Sequence, residues 1–152
     1  ELVTENNLQM VEGAIGQDTL FFQQLLMHAE KVKAIDLDIH IYYAAVSGSV
    51  TNVISKKFFE RYLLLEKERI KFLKEHDLLE GYMEEKFYTY FKNWYLKRLK
   101  RIEEGDLEEA IDTLYKIYSL YKDYMKKEDE DIAKFESLYE NSAYKQLAAT
   151  FS

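Results

Sequence analysis

Three residues of types that bind metal ions alternate with apolar residues in the segment 34–46. On a β-strand, Asp36, Asp38 and His40 would point to the same side, where two carboxylates and an imidazole could bind one cation. A strand needs a pairing partner, however, and the sequence has no second alternating run. We therefore expect a helix with Asp38 as its N-cap, on which Asp36 and His40 share a face and Asp38 points away. Two ligands are too few for a transition-metal site, so we predict no metal and no cofactor.

A second polar set lies on the apolar face of a helix predicted over residues 51–76. Arg69 and His76 are seven residues apart and share that face, and Glu66 lies within ion-pair reach of Arg69. The arginine could bind an anion while the histidine transfers protons. The R-x6-H spacing resembles the signature of HEPN-type ribonucleases, which implies catalytic roles for these two residues. The structural alternative is a Glu66–Arg69 pair at the rim of the core, with His76 near the helix C-terminus.

A basic run follows at residues 91–101, where five Lys and Arg side chains surround Trp94 without any acid. Cations beside an indole ring could bind phosphate and stack a base. The same pattern is typical of a solvated helix face on which the cations pack against the tryptophan. The formal net charge of −7 favours this second interpretation. Nucleic acid is therefore not an expected ligand, whereas an acidic protein partner would fit.

Four tyrosines recur at a spacing of three residues: Tyr115, Tyr118, Tyr121 and Tyr124. On an α-helix this spacing winds around the axis, so one apolar stripe cannot bury all four rings. Tyr121 lies in the stripe, and we expect Tyr118 and Tyr124 to be exposed. Exposed tyrosines are typical of pocket walls and interfaces, so these four residues and Trp94 are the candidate ligand-binding or partner-binding residues. Packing at the boundary of a bundle is the alternative.

The composition limits the classes of protein to which the chain can belong. Its 152 residues are 47% hydrophobic and 32% charged, with 5 glycines, no proline and no cysteine. This favours long helices, and it excludes disulfides, thiolate metal sites and cysteine nucleophiles. The apolar runs are too short to span a bilayer, so we expect a cytoplasmic protein that does not enter the membrane. The chain has no glycine-rich phosphate loop, G-x-S-x-G or H-E-x-x-H motif, so an enzyme is not the preferred class.

Helical periodicity and capping residues predict five helices in addition to segment 34–46. The predicted N-caps are Asp18, Asp77 with Glu80, and Asp106 with Glu109, and Gly105 is a predicted stop. The predicted apolar stripes are Phe21, Leu25, His28 and Val32; Phe58, Tyr62, Leu65 and Leu73; Tyr88, Phe91, Tyr95, Leu99 and Ile102; Leu107, Ala110, Leu114, Ile117 and Tyr121; and Ile132, Phe135, Tyr139 and Ala143.

The third and fourth of these helices resemble a tetratricopeptide helix pair. Trp94, Gly105 and Ala110 stand where that motif places Trp, Gly and Ala. The sequence contains no second copy, and stacked repeats need several. We therefore predict a single antiparallel helix hairpin.

These patterns together predict an all-α fold, a single-domain bundle of five or six mostly antiparallel helices. The domain covers residues 1–152, and because the chain begins with Glu1 we expect that a longer chain could contain it. We expect a regulatory or interaction module that binds a protein, a peptide or a small apolar ligand, with a homodimer as a further option. By fold-level analogy, the effector domains of bacterial regulators are modules of this kind. The alternative is a small ribonuclease that uses Arg69 and His76.

Overall fold

A computed structural model describes residues 1–38 and 54–151 as an assembly of helices with no strand among them. The α-helices are α1 Leu2–Glu5, α2 Gln17–His28, α3 Lys56–Glu75, α4 Leu79–Tyr82, α5 Tyr88–Tyr90, α6 Leu107–Tyr121, α7 Glu130–Glu140 and α8 Tyr144–Thr150. Short 3₁₀ turns at Glu104–Asp106 and Lys122–Tyr124 lie on either side of α6. The all-α prediction is confirmed.

The helical turns from residue 79 to residue 101 follow one another without a break, and we call them the composite helix. It consists of α4, a π-helical segment Met83–Phe87, α5, a second π-helical segment Phe91–Tyr95 and a 3₁₀ segment Leu96–Arg101. Its side chains meet both α3 and α6, since Trp94 contacts Tyr62 and Phe91 contacts Tyr118.

Contacts between rings and charged groups define the helix directions. Trp94 meets Tyr62 near the start of α3, whereas Tyr90 meets Arg69 further along α3, so the composite helix and α3 are antiparallel. The composite helix is also antiparallel to α6, because Phe91 meets Tyr118 and Phe87 meets Tyr121. The predicted helix hairpin is therefore confirmed. The pairing of Tyr118 with Glu136 and of Tyr115 with Tyr139 makes α7 antiparallel to α6.

The composite helix buries a stripe of large side chains that are four residues apart: Met83, Phe87, Phe91, Tyr95 and Leu99. In a regular α-helix, residues four apart drift by about 40° around the axis, so this stripe would turn by about 160°. The π-helical segments have wider turns, closed by hydrogen bonds between residues five apart. The wider turns bring the stripe back into line, so the four-residue spacing accounts for them.

The predicted stripe of this helix was partly wrong. Phe91, Tyr95 and Leu99 are buried as predicted, but Tyr88 and Ile102 are only half-buried. The prediction assumed α-helical geometry throughout, and the wider turns shift the buried face.

Two predicted N-caps have other roles. Asp77 has a φ of 55° and follows the C-cap of α3, where the Leu78 N–H donates to the Leu73 carbonyl at 2.8 Å. This is a Schellman motif, so Asp77 ends α3 and does not begin the next helix. Asp106 occupies the N-cap position of α6 as predicted, but its carboxylate makes no cap hydrogen bond in α6 and accepts from the backbone N–H of Lys56 in α3 at 3.4 Å.

The second helix is shorter than predicted and begins differently. It starts after Gly16, whose φ of 73° suits glycine, and Asp18 lies in its first turn without capping it. It ends at His28, so Val32 lies outside the helix and is exposed. The buried residue of α2 is Leu20, which the predicted stripe of Phe21, Leu25, His28 and Val32 missed.

The segment 34–46 is described only as far as Asp38. Residues 34–38 are exposed and belong to no helix or strand, and the helix predicted to follow the Asp38 N-cap lies outside the described residues. Asp36 itself lies outside any helix. His40 and the rest of the segment lie outside the described residues.

The last predicted helix is two helices. Ser142 adopts a φ of 53°, and the N–H of Ala143 donates to the Leu138 carbonyl at 2.9 Å, which is again a Schellman motif. Asp129 caps the N-terminus of α7, since its carboxylate accepts from the backbone N–H groups of Asp131 and Ile132. Ile132, Phe135 and Leu147 bring α7 and α8 into the shared core.

Candidate functional site: a buried ion pair beside an aromatic cleft

The core contains one carboxylate and one guanidinium in direct contact. Glu66 and Arg69 lie one turn apart on α3 and are 1% and 5% exposed. The Oε1 atom of Glu66 lies 2.5 Å from the Nη1 atom of Arg69. The Tyr95 hydroxyl donates to the same Oε1 atom, and the Tyr121 hydroxyl donates to Oε2, each at 2.6 Å. The predicted ion pair is therefore present, but it lies in the core and not at its rim.

This network explains why a carboxylate can be buried here. A buried charge is tolerated when it is paired and its oxygens accept further hydrogen bonds, and both Glu66 oxygens do so. Burial, and then the nearby Glu66 charge, raise the pKa of the Tyr95 and Tyr121 hydroxyls well above the usual range. Both tyrosines therefore stay protonated and act as donors.

Arg69 also borders a cleft on the side facing α2. Its guanidinium carbon lies 5.3 Å from the centre of the Tyr90 ring. Burial raises the pKa of the Tyr82 and Tyr90 hydroxyls, and the Arg69 charge acts in the opposite direction with a smaller effect. Burial alone would lower the pKa of Arg69, but the Glu66 carboxylate raises it well above the usual value. Arg69 is therefore a permanent cation at the border of core and cleft.

We call this cleft of about 540 Å³ the Arg69 cleft. Thr19 and Gln23 from α2 line one side, and Arg69 from α3 contributes a charged group. The other side is one face of the composite helix: Tyr82, Glu85, Lys86, Thr89, Tyr90, Asn93 and Trp94. The volume is in the range of clefts that bind small molecules and cofactors.

Aromatic rings form the apolar part of this lining. Trp94 stacks on Tyr90 with ring centres 6.1 Å apart and an angle of 12° between the planes. Arg98 lies over the Trp94 ring at 3.5 Å and donates to the Trp94 carbonyl at 2.9 Å. Cation packing on Trp94 was one of the two predicted interpretations of the basic run, and this contact confirms it.

Polar groups complete the cleft. The Oε1 atom of Gln23 is buried, and it accepts no hydrogen bond from the residues that the structure describes. Thr19, Thr89 and Asn93 add hydroxyl and amide groups, while Lys86 and Glu85 are exposed residues of opposite charge. The cleft therefore offers a cation, flat rings and uncharged donors and acceptors.

The structure separates the two residues of the predicted nuclease site. Arg69 lies in the Arg69 cleft, whereas His76 is the C-cap of α3, packs on Phe72 at 4.7 Å between ring centres and lines a different cleft with Asn6 and His28. A histidine must reach the reacting group to transfer its proton. The two residues of the R-x6-H spacing do not share one cleft.

The four predicted tyrosines also lie in different environments. Tyr118 and Tyr121 are buried, so the expected exposure of Tyr118 is wrong, while Tyr121 lies inside as predicted. Tyr118 fills the space between α6 and α7. Phe135 packs against its ring, and the Glu136 carboxylate accepts a hydrogen bond of 3.1 Å from its hydroxyl. Tyr115 is half-buried and stacks on Tyr139 at 3.8 Å. Tyr124 is exposed as predicted, so the four rings do not form one surface.

Tyr124 lines a second cleft of about 510 Å³ next to the end of α3. Several of its charged groups are already paired, since Lys126 forms an ion pair with Glu80, and Lys74 lies 4.8 Å from the centre of the Tyr124 ring. A ligand would therefore have to displace contacts in this cleft. Binding of a protein, a peptide or a second copy of the chain stays a prediction from the sequence.

The residues that the structure describes lack two further features. They contain no group of three or more His, Asp or Glu residues placed to hold a metal ion. Within the same residues, no helix combines the length and apolar character needed to cross a bilayer. No family model, curated protein or solved structure matches this chain.

Sequence patterns identified Arg69 and Trp94 but missed the rest of the cleft. Tyr82, Lys86, Thr89 and Asn93 alternate at spacings of four and three residues, which is the spacing of a single helix face. That face mixes rings, charges and hydroxyls, so no apolar or charged stripe marked it. Gln23 lies more than forty residues from Arg69 in the sequence, and no local pattern could have connected them.

Proposed function

We propose that this chain is a small-molecule binding module, with the Arg69 cleft as its binding site and a flat, largely apolar molecule as its ligand. The observation that carries the proposal is the stacked Tyr90–Trp94 pair beside a buried cation, in a cleft of about 540 Å³. Clefts that bind small molecules combine apolar and aromatic walls with a few placed polar groups. The unpaired Gln23 oxygen adds an acceptor that a bound molecule could satisfy.

The π-helical segments of the composite helix give independent support. Such segments are rare and are found frequently at functional sites. Here they include or directly flank the lining residues Tyr82, Tyr90 and Trp94. The proposal keeps the small apolar ligand expected from the sequence and moves its site from the α6 tyrosines to the composite helix.

The chain carries its own reporter for a binding experiment, because Trp94 is its only tryptophan. Its indole N–H gives a single, well-identified peak in a ¹H–¹⁵N correlation spectrum. We expect bicyclic aromatic probes such as 2-naphthamide and 2-naphthoate to shift this peak in a saturable way. If no such probe shifts it at millimolar concentration, the proposal is wrong.

A matched pair of variants locates the binding. Thr89→Phe places a large ring in the cleft, and Lys97→Phe places the same ring at an exposed position of the same helix outside the cleft. We expect Thr89→Phe to weaken probe binding at least about tenfold and Lys97→Phe to leave it unchanged. Equal binding by both variants would contradict the assignment of the cleft.

A further inference from the structure

Resting on this proposed function, we infer that the ligand is an aromatic monocarboxylate whose carboxylate group binds Arg69. Arg69 is 5% exposed and lines the cleft. Glu66 contacts its Nη1 atom, and a guanidinium carries five N–H donors in a fixed plane. The donors that Glu66, Tyr82 and Tyr90 leave over can serve an incoming acceptor, and planar groups such as carboxylates match the guanidinium geometry.

The surroundings of Arg69 strengthen its preference for an anion. The Tyr82 and Tyr90 hydroxyls lie beside the guanidinium, and burial raises the pKa of both, which keeps them protonated. A hydroxyl that accepts from an arginine still has its own proton to donate. Charge-assisted hydrogen bonds in such a partly desolvated place are stronger than those in water. A negative group would therefore find a cation and two hydroxyl donors together.

The charge balance of the cleft disfavours a dianion. Arg69 and Lys86 contribute two positive charges to the cleft, and Glu85 contributes one negative charge. Glu66 lies directly behind Arg69 and offsets a further positive charge. A carboxylate needs one compensating charge, whereas a phosphate monoester carries nearly two at neutral pH. The four groups therefore leave no excess positive charge for a phosphate dianion, and a carboxylate would depend on the N–H donors of Arg69.

The rings select the rest of the ligand. The stacked pair of Trp94 and Tyr90 forms a flat wall next to Arg69, and aromatic pairs gain attraction beyond the area they bury. An aromatic acid would lay its ring on this wall while its carboxylate reached the guanidinium. Glu66 acts as a positioning residue in this arrangement, since it fixes the Arg69 side chain through Nη1.

Three probes with the same ring system test the inference: 2-naphthoate, 2-naphthamide and 2-naphthyl phosphate. Their affinities are measured by isothermal titration calorimetry at pH 7.5, and the Trp94 indole peak confirms the location. We expect the carboxylate to bind at least about tenfold more tightly than the amide and the phosphate. Equal binding of acid and amide at the Trp94 peak would overturn the inference and leave the proposed function intact. Tighter binding of the phosphate would also overturn it, and failure of all three probes would refute both proposals.

Variants then assign the carboxylate preference to Arg69. Arg69→Met combined with Glu66→Gln removes both charges, so no unpaired charge remains in the core, and it should abolish the difference between acid and amide. Lys86→Gln, at an exposed position of the cleft, should reduce that difference only two- to threefold. If the double variant folds and keeps the full preference, Arg69 is not the carboxylate site. If it does not fold, the comparison of the three probes on the unmodified chain still decides the inference.

Discussion

The two tyrosines that donate to Glu66 should differ in their contributions to stability. Glu66 Oε1 accepts from both Arg69 and Tyr95, whereas Oε2 accepts, among the described residues, from Tyr121 alone. Replacing Tyr95 by Phe leaves Oε1 with a donor, but replacing Tyr121 by Phe leaves Oε2 with none. The rings are 1% exposed in both cases, so each change removes the hydroxyl and keeps the packing.

The expected magnitudes follow from this difference. A hydrogen bond to a charged group contributes about 1.5–3 kcal/mol, and an oxygen left unpaired in the core adds its own desolvation cost. We therefore expect Tyr95→Phe to lower the free energy of unfolding by about 1.5 kcal/mol and Tyr121→Phe by about 3 kcal/mol. For a chain of this length the gap corresponds to a difference in Tm of about 3–6 °C.

Urea denaturation followed by circular dichroism measures both values, and an unchanged m-value would confirm that the comparison is between like states. Tyr118→Phe is the matched control, because its ring is equally buried but its hydroxyl donates to the half-buried Glu136. The Tyr118→Phe control should lower the free energy of unfolding by about 1 kcal/mol or less. A Tyr121→Phe variant as stable as Tyr95→Phe, or a loss in both no larger than in the control, would refute this account of the Glu66 network.

Three further predictions concern caps, burial and backbone conformation. Asp129→Ala should destabilise by about 1 kcal/mol more than Asp129→Asn in urea denaturation, because asparagine keeps the cap of α7 and loses only the charge paired with Lys92. Burial raises the pKa of Asp129, but the pairing with Lys92 acts in the opposite direction, and the net effect holds this pKa below its usual value. The difference in free energy of unfolding between the unmodified chain and Asp129→Asn should therefore vanish as the pH falls through that lowered pKa. A difference that does not change with pH would contradict this. In the same assay, Tyr118→Ser should lower the free energy of unfolding by about 3–5 kcal/mol, because Tyr118 is buried, and Tyr124→Ser by less than about 1 kcal/mol, because Tyr124 is exposed. Equal losses would mean that the two rings do not differ in burial. Gly16→Ala should lower the Tm, because the φ of Gly16 is 73° and a Cβ there would lie 3.2 Å from the Tyr62 hydroxyl. Gly81→Ala, in an open helical position, should raise the Tm. A rise in both variants would show that the positive φ is not required.

The helices that were predicted well are those whose apolar residues follow a 3.6-residue period. Phe58, Tyr62, Leu65 and Leu73 were predicted to face the core and are buried in α3. The break between α7 and α8 could not be predicted, because Ser142 takes the left-handed conformation that usually indicates glycine or asparagine. Local sequence preferences predict such an ending poorly when surrounding contacts stabilise it.

The candidate site shows a similar division between local and distant information. The Glu66–Arg69 pair was predictable because residues three apart on a helix are neighbours. Its other partners, Tyr95 and Tyr121, are 29 and 55 residues from Glu66, and packing alone brings them together. The burial of Tyr118 was missed for the same reason, since the stripe of α6 was judged without α7, whose Phe135 covers that ring.

The π-helical segments also have a consequence for how this sequence can change in evolution. A π turn holds one residue more than an α turn, so the rotation between the two ends of the composite helix depends on the number of residues between them. Residues 84–86 are exposed, and substitutions there should be tolerated. Deleting one of them would leave the number of residues that an α turn holds, so the π turn would become an α turn and Tyr82 would keep its direction relative to Trp94. Relatives of this chain should therefore differ in residue type at these surface positions, and a relative with one residue fewer here should have an α turn in place of the π turn.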